Sequence, residues 1–145
     1  MSFKVTLRNI DGATTAIATA GPRAVVVDRP AEAGGGGHGL NGGELLHIAV
    51  AACISNDLFR EAAARGIALR RVVVEADGGY AGDPAVSTGI SYAVEVAGDA
   101  PEADLRSLVA HVDAIAEIPN SLRGGTEVRL GTVRAVGDGS LTPPG

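Results

Sequence analysis

One cysteine, no tryptophan and only 3% aromatic residues withhold several kinds of chemistry from this 145-residue chain. A single thiol forms no disulfide within the chain, and three scattered histidines give no Cys/His spacing of the kind zinc requires. No metal and no cofactor is expected. Without aromatic platforms the chain lacks the stacking surfaces of single-stranded nucleic-acid binders, and its core falls to Val, Ala, Leu and Ile. Positive charge is also short: 12 Lys and Arg stand against 17 Asp and Glu, and the formal charge of −5 argues against a nucleic-acid groove or an anionic membrane surface. The longest apolar run, Leu45 to Ile54, is interrupted by His47 and falls well short of the roughly 20 residues a membrane span needs. The start, "MSFKVTLRNIDG", carries no apolar signal core, so a soluble cytoplasmic protein is expected.

The residues that are present sort into local structure. "FKVTLRN" and "ATTAIATA" flank "IDGA", whose Asp-Gly step suits a hairpin, and "PRAVVVD" adds a third strand. A glycine-rich loop over residues 29–43 delivers the chain to Asn41, an N-cap with Glu44 three positions on, and a long helix runs from there to about Arg65, ended by Gly66. "IALRRVVVEADGGY" and "STGISYAVEVAG" are strands rich in β-branched residues. Leu105, Leu108, Val109, Val112 and Ile115 then repeat at helical spacing behind Asp99 or Pro101, "IPNSLRGG" breaks that helix, and "TEVRLGTVRAV" gives a last strand. This order is not the strict alternation of a parallel sheet, and the short turns favour antiparallel pairing, so the fold class is α+β. One domain over residues 1–135 with a flexible, proline-rich tail at 136–145 is expected. The long helix is apolar on nearly every face from Leu45 to Ile54; one small sheet covers one side, so a second copy is expected on the other.

Gly34, Gly36 and Gly39 align to G-x-G-x-x-G, but the long lead-in from Asp28 and the lack of a Lys-Ser/Thr pair argue against a phosphate cradle. At about 100° per residue, His47 stands some 240° around the helix from Cys53, so the two form no dyad within it. His47 reads as an interior or interface histidine, His38 as a loop residue and His111 as surface. Glu44 lies about 180° from Cys53 and roughly 13 Å along the axis, and its place at N3 explains it locally. Asn56 and Asp57 share the face of Cys53, and polar groups on a buried surface imply water, a partner or a pocket.

"VDRP", the glycine-rich loop, "GGELLHIAVAAC", "GIALRRVVVEADGGY" and "IPNSLRGGTEV" together resemble the OsmC/Ohr family of thiol-dependent hydroperoxide reductases over about residues 22–134. The resemblance implies an intertwined homodimer with antiparallel sheets around long central helices and a reactive cysteine near the interface. Cys53 matches that cysteine, Arg8 is the arginine of the first hairpin, and Glu44 matches a form with glutamate nine residues before the cysteine. In the family the cysteine attacks peroxide as thiolate, the arginine stabilises it, the glutamate orients the arginine, and a second cysteine resolves the sulfenic acid. The departures are plain: Ile118 precedes Pro119 where the second cysteine would stand, and Gly43 occupies the position of the usual glutamate. Arg123 matches an Arg-Gly step with a structural role. The resemblance therefore implies a one-cysteine reductase of organic hydroperoxides that draws on an external thiol. The readings set beside it are a non-catalytic dimer that binds a small apolar ligand, with Cys53 as packing, and a cysteine-dependent acyl transfer that borrows a histidine from the partner chain.

Overall fold

The structure, a computed structural model, describes residues 1–137. Strands β1 (Thr6–Asn9), β2 (Ala16–Ala20) and β3 (Arg23–Val27) form an antiparallel meander in that order. The β1–β2 turn passes through Gly12 at φ 76°, a conformation that costs glycine nothing. A 3₁₀ turn at Ala31–Ala33 follows, and then helix α1 (Gly42–Ala64). Two long strands, β4 (Leu69–Ala81) and β5 (Val86–Gly98), make an antiparallel hairpin in register from Leu69↔Gly98 to Ala81↔Val86. Helices α2 (Glu102–Ile115) and α3 (Glu117–Arg123) close the ordered elements. The class is α+β, as the sequence order implied.

Local chemistry sets both ends of α1. The Asn41 side chain accepts from the Glu44 N–H at 2.9 Å, and Glu44 Oε1 accepts from the Asn41 N–H at 3.1 Å, a reciprocal capping box. At the other end the Ile67 N–H reaches the Ala62 carbonyl and the Gly66 N–H the Ala63 carbonyl, the Schellman pattern, with Gly66 at φ 69°.

The core lies between α1, α2 and the long hairpin. Ile54, Leu58 and Ala62 of α1 pack on Leu108, Val112 and Ala116, with Val72, Val74, Tyr92 and Val94 of the hairpin against them. Of the five apolar positions expected to face inward on α2, Leu105, Leu108 and Val112 are buried, while Ile115 is exposed.

Three local expectations change. "IPNSLRGG" does not break the helical region: after one extended residue, Ala116 at ψ 123°, the chain re-enters a helix at Glu117. Pro119 is tolerated because it falls in the first turn, where its missing N–H has no partner to lose. Asp99 does not cap α2, which starts behind Pro101; its carboxylate accepts from the Ala68 N–H at 2.7 Å and pins the start of β4. The last strand is not formed either. Residues 126–136 lie outside any ladder, and Val128, Leu130 and Val133 stand 92%, 88% and 66% exposed. β-Branched alternation suits a strand, but a strand needs an edge to pair with, and this segment meets none among the described residues. Most of the expected tail, residues 138–145, lies outside the described residues.

Much apolar surface is left without a neighbour. α1 packs mainly on β4, α2 and α3, whereas the β1–β3 sheet meets this body only lightly, near the start of α1 and Tyr80 of β4. Phe3, Val5, Leu7, Ile17, Val25 and Val26 are all exposed, and so are Ile48 and Phe59 on the side of α1 turned from the core.

Candidate functional site

Cys53 sits midway along α1, half-buried, on the flank of the helix that also carries Leu46, Val50 and Asp57. Leu46 and Val50 line a cavity of about 340 Å³ whose other walls are Ile90 and Tyr92 of β5 and Pro119 and Leu122 of α3. The cavity is mostly apolar and begins one turn before the thiol on the same stripe. At its rim the Tyr92 hydroxyl donates to Asp113 Oδ1, and Arg123 Nη2 binds the same carboxylate at 2.7 Å. Arg123 Nη1 also donates to the Asp113 carbonyl and to Asn120 Oδ1, both at 2.9 Å. Burial and the Asp113 carboxylate push the Tyr92 hydroxyl up to about 12, and its bond in turn holds Asp113 below the usual carboxylate range. Arg123 thus ties α3 to α2 while also lining the cavity.

Beyond the thiol runs a chain of charged groups. Cys53 donates to Asp57 Oδ2 at 4.0 Å, Arg60 Nη1 binds Asp57 Oδ1 at 2.9 Å, and Arg60 Nε binds Glu61 Oε1 at 3.0 Å. Glu61 Oε2 then meets His111 Nε2 at 3.2 Å, so His111 joins α2 to α1 rather than standing free on the surface. The bond from Arg60 holds Glu61 below the usual carboxylate range. Asn56, the other polar neighbour expected, is exposed.

The remaining expected site residues lie elsewhere in a single chain. Arg8 is exposed on β1, and its side chain makes no hydrogen bond or ion pair among the described residues. Glu44 serves the capping box through Oε1. Neither is bonded to Cys53. His47 turns away from Cys53 and donates from Nδ1 to the Gly43 carbonyl at 2.7 Å, which leaves a buried, unpartnered Nε2 against Gly78.

The glycine-rich loop cradles an anion, but one of the protein's own. Asp28, 3% exposed, accepts from the hydroxyls of Thr14 and Thr15 at 2.7 Å each and from the backbone N–H groups of Arg29, Gly36 and His38. Because the Thr15 hydroxyl spends its proton on Asp28, it accepts from His38 Nδ1 at 3.2 Å. A Cβ at Gly36 would collide with His38 Nδ1 and with the Asp28 carboxylate, so the glycine is there for close packing. Sequence reasoning missed Asp28, although an acid just ahead of a loop rich in free N–H groups was a usable signal.

The two threonine hydroxyls, and after them the loop amides, hold the Asp28 carboxyl far below its ordinary range. A depressed folded value means that the unfolded chain takes up the proton first. The stabilisation is therefore present above about pH 4 and is lost as the pH falls further. Melting temperatures between pH 7 and pH 2 should drop more steeply for the wild type than for Asp28→Asn; parallel curves would remove Asp28 as the acid-sensitive joint of this loop.

An α+β chain with one long helix backed by an antiparallel hairpin, a single thiol on that helix and an apolar cavity beside it defines a small class of folds. The family described as OsmC-like protein matches residues 34–131, and the chain belongs to it. An OsmC-like protein from Mycoplasma pneumoniae superposes with a TM-score of 0.74 at 17% identity, covering 87% of this chain and 90% of the other. An organic hydroperoxide resistance protein OsmC from Legionella pneumophila gives 0.63 at 20% identity, with 86% and 90% covered. The organic hydroperoxide resistance protein OhrB of Bacillus subtilis gives 0.61 at 22%, with 86% and 93% covered. No curated protein matches the sequence. No described helix is long and apolar enough to cross a membrane.

Proposed function

We propose that the protein is a one-cysteine hydroperoxide reductase of the cytoplasm, in which Cys53 reduces organic hydroperoxides and an external thiol restores it. The observation that carries this reading is the stripe on α1 that sets the only thiol of the chain one turn from an apolar cavity, which suits a substrate with an alkyl or aryl body and a peroxide end. Membership of a family that includes organic hydroperoxide resistance proteins supports it.

The working unit is a homodimer. The open faces of the β1–β3 sheet, the outer face of α1 and the unpaired segment 126–136 are the surfaces a second copy would cover. Within that dimer Arg8, a cation without an ion-pair partner of its own among the described residues, stabilises the Cys53 thiolate, and Glu44 orients it through Oε2, the oxygen the capping box leaves free.

The test is stopped-flow formation of sulfenic acid at Cys53 after mixing the reduced protein with cumene hydroperoxide, set against free cysteine at the same pH. The expected rate exceeds that of free cysteine by orders of magnitude, and Cys53→Ser removes all peroxide consumption. A rate equal to that of free cysteine would leave the second reading, a dimer that binds an apolar ligand. That reading is favoured by the carboxylate of Asp57, rather than a cation, lying beside the thiol.

A further inference from the structure

Asp57 turns one oxygen toward the Cys53 sulfur and gives it almost nothing to hold. The residue is 7% exposed, and its Oδ1 is taken by Arg60 at 2.9 Å. Its Oδ2 has one donor among the described residues, the thiol, at 4.0 Å. A thiol is a weak donor even at short range, so a buried carboxylate oxygen is left under-satisfied, and it faces the atom that reacts. The gap also has a particular size. An S–O bond of about 1.7 Å followed by an O–H···O⁻ bond of about 2.7 Å spans it with a bend of roughly 130° at the inserted oxygen. The site fits the sulfenic acid better than the thiol.

We propose that Asp57 is the acceptor that holds oxidised Cys53 as a neutral, hydrogen-bonded sulfenic acid and so protects it from a second oxidation. This rests on the reading of Cys53 as the peroxide-reactive thiol. In the first step the thiolate sulfur attacks the terminal oxygen of an alkyl hydroperoxide: the S–O bond forms, the O–O bond breaks, and the leaving alkoxide takes up the proton that the thiol gave up and departs as alcohol. The sulfenic O–H then donates to Asp57 Oδ2. An external thiol attacks the sulfenic sulfur and releases water, and a second one frees Cys53 as the disulfide of the two external thiols departs.

The need for such a group follows from the sequence. With no second cysteine in the chain, the sulfenic acid waits for a reductant from solution, and a further hydroperoxide would carry it to sulfinic acid, which thiols do not reverse. The anionic sulfenate is the better nucleophile toward that second hydroperoxide. A carboxylate at hydrogen-bond distance disfavours the anion by like-charge repulsion and favours the neutral acid by accepting its proton. Arg60, itself braced by Glu61, anchors Oδ1 and keeps Oδ2 aimed at the sulfur.

The experiment follows the fate of Cys53 rather than its turnover. Reduced wild type, Asp57→Asn and Arg60→Ala are treated with increasing cumene hydroperoxide. Mass spectrometry then divides the oxidised Cys53 between sulfenic acid, trapped with dimedone, and sulfinic acid. Asp57→Asn should reach equal amounts of the two at about tenfold less peroxide than the wild type, the scale of one hydrogen bond to a charged group. Arg60→Ala changes an exposed side chain, leaves the buried carboxylate in place, and should shift the balance the same way by a smaller factor. Because the readout is a ratio of oxidised products, a slower first step moves it far less than tenfold, and toward more peroxide rather than less. An unchanged ratio in both variants overturns the role given to Asp57. A wild-type rate no better than free cysteine overturns the peroxidase reading instead, and is read from the same time courses.

Discussion

Ile48→Asp is expected to halve the mass of the particle in sedimentation at micromolar protein. Ile48 and Phe59 are 45% and 49% exposed in the single chain, on the side of α1 turned from Ile54 and Leu58. A charge on a helix face that is truly solvated changes stability by about half a kcal/mol at most. A charge forced into an apolar contact between two chains leaves an unpaired carboxylate out of water, at a cost of several kcal/mol. The substitution therefore separates an open helix from a covered one by an amount no surface effect can imitate, and Phe59→Asp, three turns along the same face, should repeat it. A wild type that sediments as one chain would sink the proposed dimer. A variant that keeps the wild-type mass would place the contact on some other surface.

Leu58→Ala should cost about 2–5 kcal/mol, the range for deleting a fully buried leucine side chain, against a total stability of about 5–15 kcal/mol. Leu58 is 0% exposed and joins α1 to Leu108 and Val112 of α2. A hole there is lined by side chains from two helices and a hairpin, which cannot all close in at once. Urea unfolding at one fixed protein concentration, needed because association adds to apparent stability, should show the midpoint fall with little change in slope. A loss under about 1 kcal/mol would mean that the layer between α1 and α2 repacks freely and does not hold the helix that carries Cys53.

The features the sequence made legible are those decided within a few residues. Asn41 and Glu44 declare the start of α1 because each completes the other's backbone bonds, and Gly66 declares its end because the chain must turn left-handed there. α3 was hidden because Pro119 reads as a breaker until one knows that it stands in a first turn. Segment 126–136 has the side chains of a strand, but a strand is settled by the edge it meets, and that lies outside the chain's own described contacts. The site divides the same way. Cys53 was found through its resemblance to a family, and Asp57 through its i+4 spacing. Asp28 was not found, because most of its partners are hydroxyls and backbone amides brought from more than eight positions away. Arg8 and Glu44 could be named but not brought to the thiol, since nothing in linear spacing says which chain supplies a neighbour.

The lightly packed β1–β3 sheet also bears on the order in which the protein is made. These strands end at Val27, ahead of α1, the long hairpin and the later helices, so they are made before the elements that form the core. At about 5–20 residues per second the stretch from Asp28 to Arg123, which carries the later elements, takes roughly five to nineteen seconds. Once outside the ribosome and before the core has formed, a small sheet with open faces and free edges is too slight to hold by itself and free to pair with any strand it meets. A cell that makes this protein quickly, on many ribosomes along one message, brings nascent sheets of identical sequence close together. The same crowding that threatens aggregation would let the two chains of a dimer find each other before either is released.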